Sequence, residues 1–306
     1  MRLFRKVIAA AVTMMLLLSV AIWANAEDAT FLVQYQTNHS ALNKSTLDIA
    51  SGMGYILKDE NGVLFVIDGG LEDDGYRFLQ LLKEVSGQEK PHVAMWFLSH
   101  PHSDHYGALK AIAGTYPNLL TVDTILANFP PRDLRDTVNG TSYAPGEAAL
   151  DTIRYSLKAE LIVPQTGDTY QVGNMAIEVI TTWEDQKQVN ECNETSTILM
   201  VRAGEKKILF LGDAYAATCK NAVKNYGDNL ACDIIQVAHH AVCGGTVDLY
   251  KAANAKLYLI PNNRITVDIC KKNDNVVYWV MKNAPKIVFS GDGTVSFNLS
   301  QMETDE

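Results

Sequence analysis

Apolar positions along this chain follow two rhythms. Short runs rich in β-branched and aromatic residues, Thr30–Gln36, Gly54–Lys58 and Val63–Ile67, predict strands, and the Asn61-Gly62 pair between the last two predicts a hairpin turn. Phe78, Leu81, Leu82 and Val85 then recur at helical spacing, with Gly87 as a stop. Val93–Leu98 is apolar without alternation, the pattern of a strand covered on both faces. In the second half, Ile177–Thr181, Thr197–Val201, Ile208–Leu211, Ile234–Ala238, Leu257–Ile260 and Ile287–Phe289 predict further strands. Helices are predicted over Ala214–Asn225, Thr246–Ala253 and Asn275–Asn283. Fully apolar strands alternating with amphipathic helices imply sheets shielded by helices, an α/β layered domain. Pro130-Pro131 through Pro145-Gly146, with Asn139-Gly140 inside, predicts one long irregular loop, a length at which loops often serve as lids.

The first 26 residues break this rhythm. Arg2, Arg5 and Lys6 precede an apolar run from Val7 to Trp23, and Ala24-Asn25-Ala26 follows, which are the three parts of a secretory signal. The run is at the short limit for a bilayer-spanning helix, which leaves an uncleaved anchor as the alternative. The signal pattern makes cleavage the expectation, leaving residues 27–306 as one domain with no stable membrane span. That places the protein outside the cytoplasmic membrane, secreted or associated with the cell envelope. The whole chain carries 26 basic and 35 acidic side chains, a net charge of −9, and the three basic residues of the signal leave with it. Such an acidic surface repels polyanions and argues against strong nucleic-acid binding. Five Cys at irregular spacing contain no C-x-x-C pair, so neither a zinc ribbon nor a disulfide scaffold is indicated. Buried thiols and one or two disulfides both fit that spacing.

The chemistry is concentrated in Ser99-His100-Pro101-His102-Ser103-Asp104-His105, directly after the predicted strand Val93–Leu98. In an extended segment residues two apart share a side, so His100 and His102 can grip one cation. Asp104 and His105 fall where a helix can begin, which carries them to a second position nearby. Three imidazoles and a carboxylate within six residues form the ligand set of a borderline divalent metal, zinc first. Ser99 and Ser103 read as loop-shaping hydroxyls, and Cys243 as an inert thiol.

Asp68-Gly69-Gly70 after a strand, H-x-H-x-D-H, Gly212-Asp213 after a strand, and His239-His240 together resemble the metallo-β-lactamase fold superfamily across nearly all of residues 27–306. Within it, the segments 193–200 (NETSTILM), 208–213 (ILFLGD) and 233–240 (DIIQVAHH) are most similar to the hydrolase domain of DNA-uptake competence proteins, and the spacing is similar to that of secreted phosphorylcholine esterases. The resemblance implies a four-layer αββα sandwich. It implies that His100 and His102 bind a first metal, that Asp104 and His105 bind a second, that Asp213 bridges both, and that Asp68 orients ligands from behind. One of His239 and His240 would complete a metal shell and the other face the substrate; strand neighbours point to opposite faces, which leaves the choice open. The working assignment puts His239 among the ligands and His240 with Asp104 and Asp68 among the catalytic groups.

Two departures bear on this. Asn193 stands where the superfamily usually supplies another His, and its carbonyl oxygen is a poorer zinc ligand. The segment Pro261-Asn262-Asn263-Arg264 holds no His where related domains carry one, and Ala241–Gly245 replaces their Gly-Ser. Two divalent ions, zinc before others, are therefore expected, with one weakly held or absent. Such a site hydrolyses an ester, amide or phosphoester with a metal-activated water, and the resemblance implies phosphoesters or phosphodiesters, in a small molecule or a cell-envelope component. Arg132, Arg135 and Arg154 could grip a single phosphate, although loop arginines are more often merely solvated. Trp183, Glu184, Asp185 and Tyr143 have the composition of a cation-binding cage, although such aromatics more often pack. A β-lactam is the least supported substrate. The alternative is a binding or scaffold protein that keeps the fold around a degenerate metal site.

Overall fold

The computed structural model describes residues 29–41, 51–131, 133–134 and 143–302. The predicted export segment, Arg132, Arg135 and Asn139-Gly140 lie outside the described residues. Six strands come first: β1 (Phe31–Gln34), β2 (Gly54–Lys58), β3 (Leu64–Asp68), β4 (His92–Leu98), β5 (Thr121–Ala127) and β6 (Glu160–Ile162). Seven follow: β7 (Thr169–Val172), β8 (Met175–Thr181), β9 (Ile198–Ala203), β10 (Lys206–Phe210), β11 (Ile234–Gln236), β12 (Leu257–Ile260) and β13 (Lys286–Phe289), before a last strand, β14 (Val295–Asn298). They form two seven-stranded sheets, ordered β14-β1-β2-β3-β4-β5-β6 and β13-β12-β11-β10-β9-β8-β7.

Alternate residues of each strand serve different cores, which is why these strands read as apolar without alternation. Leu32, Tyr55, Phe65 and Phe97 face Leu199, Ile208, Phe210 and Leu259 between the sheets. On the other face of the first sheet, Val66, Trp96 and Ile125 meet Phe78, Leu109 and Ile153 of helices α1 (Gly75–Ser86), α2 (Ser103–Thr115) and α3 (Ala144–Leu157). On the far side of the second sheet, Leu209, Ile235 and Tyr258 meet Cys219, Leu249, Val267 and Val280 of α4 (Ala216–Tyr226), α5 (Val247–Ala253), α6 (Arg264–Cys270) and α7 (Asn275–Asn283). The result is a four-layer αββα sandwich. Among the described residues no helix is long and apolar enough to cross a membrane.

The Asn61-Gly62 turn joins β2 and β3 as an antiparallel pair, closed by Asp59, whose Oδ1 accepts from the backbone N–H of Asn61 (3.0 Å) and Val63 (2.8 Å). The predicted loop from Pro130 to Gly146 ends earlier than its composition suggests. Pro145 lies in the first turn of α3, where its missing N–H has no partner to lose. Gly146 is required there because a Cβ at that position would overlap the Cβ of Pro101, inside the His-rich segment. Helix α3 therefore rests directly on the turn that carries His100 and His102. Cys219, Cys232, Cys243 and Cys270 are thiols, with Cys219 and Cys270 buried.

A candidate dinuclear metal centre

Four strand ends converge on the site. β4 ends at Leu98, and the chain then turns into α2, with His102 still extended (φ −92°, ψ 145°) and Asp104 and His105 in the first helical turn. Asp68 closes β3 with φ +52°, a left-handed conformation that is costly for a residue with a side chain. Its bonds hold it there. Oδ1 accepts from the Ser99 backbone N–H and Oδ2 from the Ser99 hydroxyl, both at 2.8 Å, while its carbonyl accepts from Trp96 Nε1 at 2.9 Å. Oδ2 also lies 2.8 Å from His105 Nδ1.

Asp213 follows β10 by way of Gly212 (φ +56°), and its backbone N–H donates to Ser196 Oγ at 3.1 Å. Buried Gln236 ties this turn to the end of β11: its Oε1 accepts from Leu211 N–H (2.8 Å), and its Nε2 donates to the carbonyls of Gly212 (3.0 Å) and Val237 (2.6 Å). Beyond β11, His239, His240 and Ala241 all have positive φ, at +47°, +53° and +54°. The His pair therefore lies in a tight left-handed turn and not in a strand, so strand alternation does not separate its side chains. Both imidazoles turn toward Asp213.

Asp213 Oδ2 is the meeting point. His105 Nε2 lies 3.2 Å from it, His240 Nε2 3.4 Å, His100 Nε2 3.7 Å and His239 Nε2 3.8 Å. Two donor sets share this carboxylate, Asp104–His105–Asp213–His240 and His100–His102–Asp213, with the ligand atoms of each set within 4.8 Å of one another. Asp104 Oδ2 lies 3.2 Å from His240 Nε2 and 3.8 Å from His105 Nε2. His239 stands at the edge, 15% exposed, its Nδ1 3.0 Å from Cys243 Sγ, which also contacts the Tyr215 hydroxyl at 3.2 Å. His240, fully buried, lies within the cluster of candidate ligand atoms, and His239, expected from sequence among the ligands, stands at the mouth of the site.

The residues fit a metal. His105 Nε2, His240 Nδ1 and Nε2, and Asp213 Oδ1 are buried and make no hydrogen bond. A buried polar atom without a partner costs about 1–3 kcal/mol, and a cation bound by His105 Nε2, one nitrogen of His240 and the Asp213 carboxylate would relieve most of that cost. The electrostatics agree. Burial works to raise Asp213, yet the charges of His105, His240 and His239 outweigh it and hold the carboxyl well below its ordinary value. Burial works to lower His105 and His240, yet Asp213 and Asp104 beside them win, driving His105 well up and His240 up to about 9. His100 and His102 move the other way, lowered by burial.

Asn193 belongs to neither donor set. It is buried, its side chain hydrogen-bonds the Tyr215 hydroxyl, and its Oδ1 accepts no hydrogen bond. Asn263 caps α6, its Oδ1 accepting from Thr266 N–H at 2.9 Å, and Asn262 Nδ2 donates to the His240 carbonyl at 2.9 Å. The segment that holds no His therefore braces the backbone of His240. The aromatic and acidic group at 183–185 is not an open cage. Trp183 Nε1 donates to Asn128 Oδ1 (2.8 Å), Glu184 accepts from Asn128 Nδ2 (3.0 Å), Asp185 accepts from Thr181 and Thr182, and Tyr143 is buried. Arg154 pairs with Asp151 (4.0 Å) and lies over the Tyr155 ring. The bracing roles of Gln236, Asn262 and Tyr215 have no local signature, apart from the unbroken apolar context of Gln236 in 234–238, which marks a buried amide.

Comparison with known proteins gives the fold a name. The Metallo-beta-lactamase superfamily profile matches residues 51–233, more than half of the sequence, and the chain belongs to that superfamily. Solved structures with the same fold include Zn(2+)-bound PqqB from Methylobacterium extorquens (10% identity, covering 88% of this chain and 100% of that one, TM-score 0.53). They also include CmlA, a diiron β-hydroxylase from Streptomyces venezuelae (11% identity, 89% and 54%, TM-score 0.51), and a diphosphatase from the PhnP family (13% identity, 88% and 97%, TM-score 0.50). No curated protein matches significantly in sequence. The superfamily typically binds divalent metals, and the His/Asp cluster is a group that could hold them.

Proposed function

We propose that this chain is a metal-dependent hydrolase of phosphoesters or phosphodiesters, zinc being the first choice of metal, exported by way of residues 1–26. The observation that carries the reading is Asp213 Oδ2, with four imidazole nitrogens within 3.8 Å and unbonded buried ligand atoms on His105, His240 and Asp213 itself. Asp104, His105, His240 and Asp213 would hold one ion, and His100, His102 and Asp213 the other. When bound, such ions lower the pKa of water and offset charge growing on a phosphoryl oxygen. The chain's own residues then divide the remaining work. Asp68 fixes the His105 ring, Gln236 and Asn262 fix the two turns that present Asp213 and His240, and His239 at the mouth is placed to touch a substrate oxygen. The phosphoester class is supported by the resemblance of segments 193–200, 208–213 and 233–240 to competence-type hydrolases and by the likeness in fold to a diphosphatase of the PhnP family. The acidic chain favours a small or cell-envelope substrate over a long polyanion.

The test is metal analysis of the purified protein, followed by turnover of chromogenic phosphomonoesters, phosphodiesters and β-lactams before and after chelation. Two ions per chain and chelator-sensitive phosphoester turnover are expected; undiminished activity in stripped protein would overturn the reading. Amino-terminal sequencing of exported protein, expected to begin at Glu27, tests the export signal.

A second reading is favoured by the three-donor set and by Asn263, which caps a helix where relatives place a ligand: a ligand-binding protein that holds one ion and turns nothing over. Tight ligand binding with a single ion and no hydrolysis would select it.

A further inference from the structure

Ser99 reads from sequence as a hydroxyl that shapes a loop, but its surroundings give it another task. It is fully buried, and its carbonyl accepts from Thr197 N–H at 3.0 Å. Its hydroxyl has one proton and two lone pairs. The Asp68 carboxylate 2.8 Å away can only accept, so that proton goes to Oδ2 and the oxygen is left as an acceptor. His100 Nδ1 lies 3.1 Å from this oxygen. His105 Nδ1 is also near, at 3.3 Å, but stands closer to Asp68 Oδ2, at 2.8 Å, and gives its N–H there. The donor left for Ser99 Oγ is therefore the Nδ1–H of His100. Beyond that ring the direction continues, with His100 Nε2 2.9 Å from His102 Nδ1.

We propose that Ser99 is a positioning residue that relays the Asp68 carboxylate to His100, so that one buried acid orients an imidazole in each donor set, His105 directly and His100 through the hydroxyl. A neutral imidazole carries one ring proton. With that proton on Nδ1, His100 Nε2 carries a lone pair, which accepts from His102 Nδ1 here and could ligate an ion instead; with the proton on Nε2, the ligating atom would be blocked. A hydrogen bond to the non-ligating nitrogen is the usual way a protein selects the competent tautomer. The Ser99 side chain packs against the Gly212 turn, where an added Cβ would lie 3.0 Å from Ser99 Cβ and 3.2 Å from Oγ. The inference rests on the metal reading above only for its consequence; the tautomer itself exists without an ion.

The test is nitrogen-15 NMR of the imidazoles in metal-free protein, in wild type, Ser99→Ala and Ser99→Thr, together with zinc titration against a chromogenic chelator. His100 is expected as the Nδ1–H tautomer in wild type and Ser99→Thr, and to shift toward Nε2–H in Ser99→Ala. Zinc affinity of the His100/His102 set should then fall about 10- to 100-fold, the usual effect of removing a partner of a metal-bound His. Finding His100 as Nε2–H in wild type overturns the inference without any variant, as does an unchanged tautomer in a folded Ser99→Ala protein. Wild-type protein that takes up no zinc, yet shows the tautomer shift, upholds the relay and sinks the metal reading instead.

Discussion

The two donor sets share Asp213 and differ in almost everything else. Asp104–His105–Asp213–His240 is wholly buried and holds two carboxylates; His100–His102–Asp213 holds one, and His102 is half-buried. His100 and His105 are equally inaccessible, yet the first is driven down and the second up. Burial acts alike on both and cannot explain the contrast. The difference is the company: Asp213, Asp104 and Asp68 surround His105, whereas His100 sits against that same His105 with Asp213 as its nearest acid, 3.7 Å away. The count of carboxylates within reach decides which pole attracts positive charge, and the acid-rich pole is expected to hold its ion more tightly.

Removing what the poles share should have the largest effect. Asp213→Ala should abolish binding of both ions and lower turnover by more than about 100-fold, since loss of a mere supporting residue already costs about 10- to 100-fold. Two ions retained in that variant would break the shared-bridge description. His240→Ala comes next, expected to empty the acid-rich pole while leaving one ion, whereas His102→Ala should release only the weaker one. Metal content of the two variants compares the poles directly, and equal affinities would erase the asymmetry. Graded chelation of wild type should remove the ions in two steps, the first from the three-donor pole.

A smaller effect concerns pH in the stripped protein. His240 in the fold keeps its proton up to about 9, against burial, because Asp213 and Asp104 lie beside it, while an unfolded imidazole releases it near ~6.5. The folded value is the higher one, so its contribution to stability is complete below ~6.5 and lost as pH rises through about 9. Melting temperature of metal-free protein should fall across that window, and His240→Gln should flatten the fall. The smallest effect expected is that of Gly146→Ala, which drives a methyl group into Pro101 and should cost about 1–3 kcal/mol of stability. Its sharper signature would be weaker metal binding at the His100/His102 pole alone, because Pro101 lies between those two ligands.

Most of the sandwich was legible in the sequence because its strands are apolar on both sides, and such runs need no tertiary knowledge to recognise. The elements that escaped, β5, β6, β7, β14 and α6, have polar or exposed positions that blur the period, as in Thr121–Ala127 with its exposed Asp123. Helix α3 escaped because Pro145 and Gly146 read as breakers. One begins the helix and the other lets it touch Pro101, and neither fact is local to the sequence.

The site divides in the same way. A seven-residue segment fixed the presence of His100, His102, Asp104 and His105 together, because residues so close in sequence cannot be far apart in space. The partners brought in from afar were another matter. Which of His239 and His240 lies deep depends on three consecutive left-handed residues, braced by Gln236 and Asn262 from other elements. The role of Ser99 depends on Asp68 arriving from a neighbouring strand with its acceptors already in place. Composition and spacing determine what a chain can bind; the direction of each proton and lone pair is settled only when distant segments pack, because a hydrogen bond belongs to two partners and the sequence states only one.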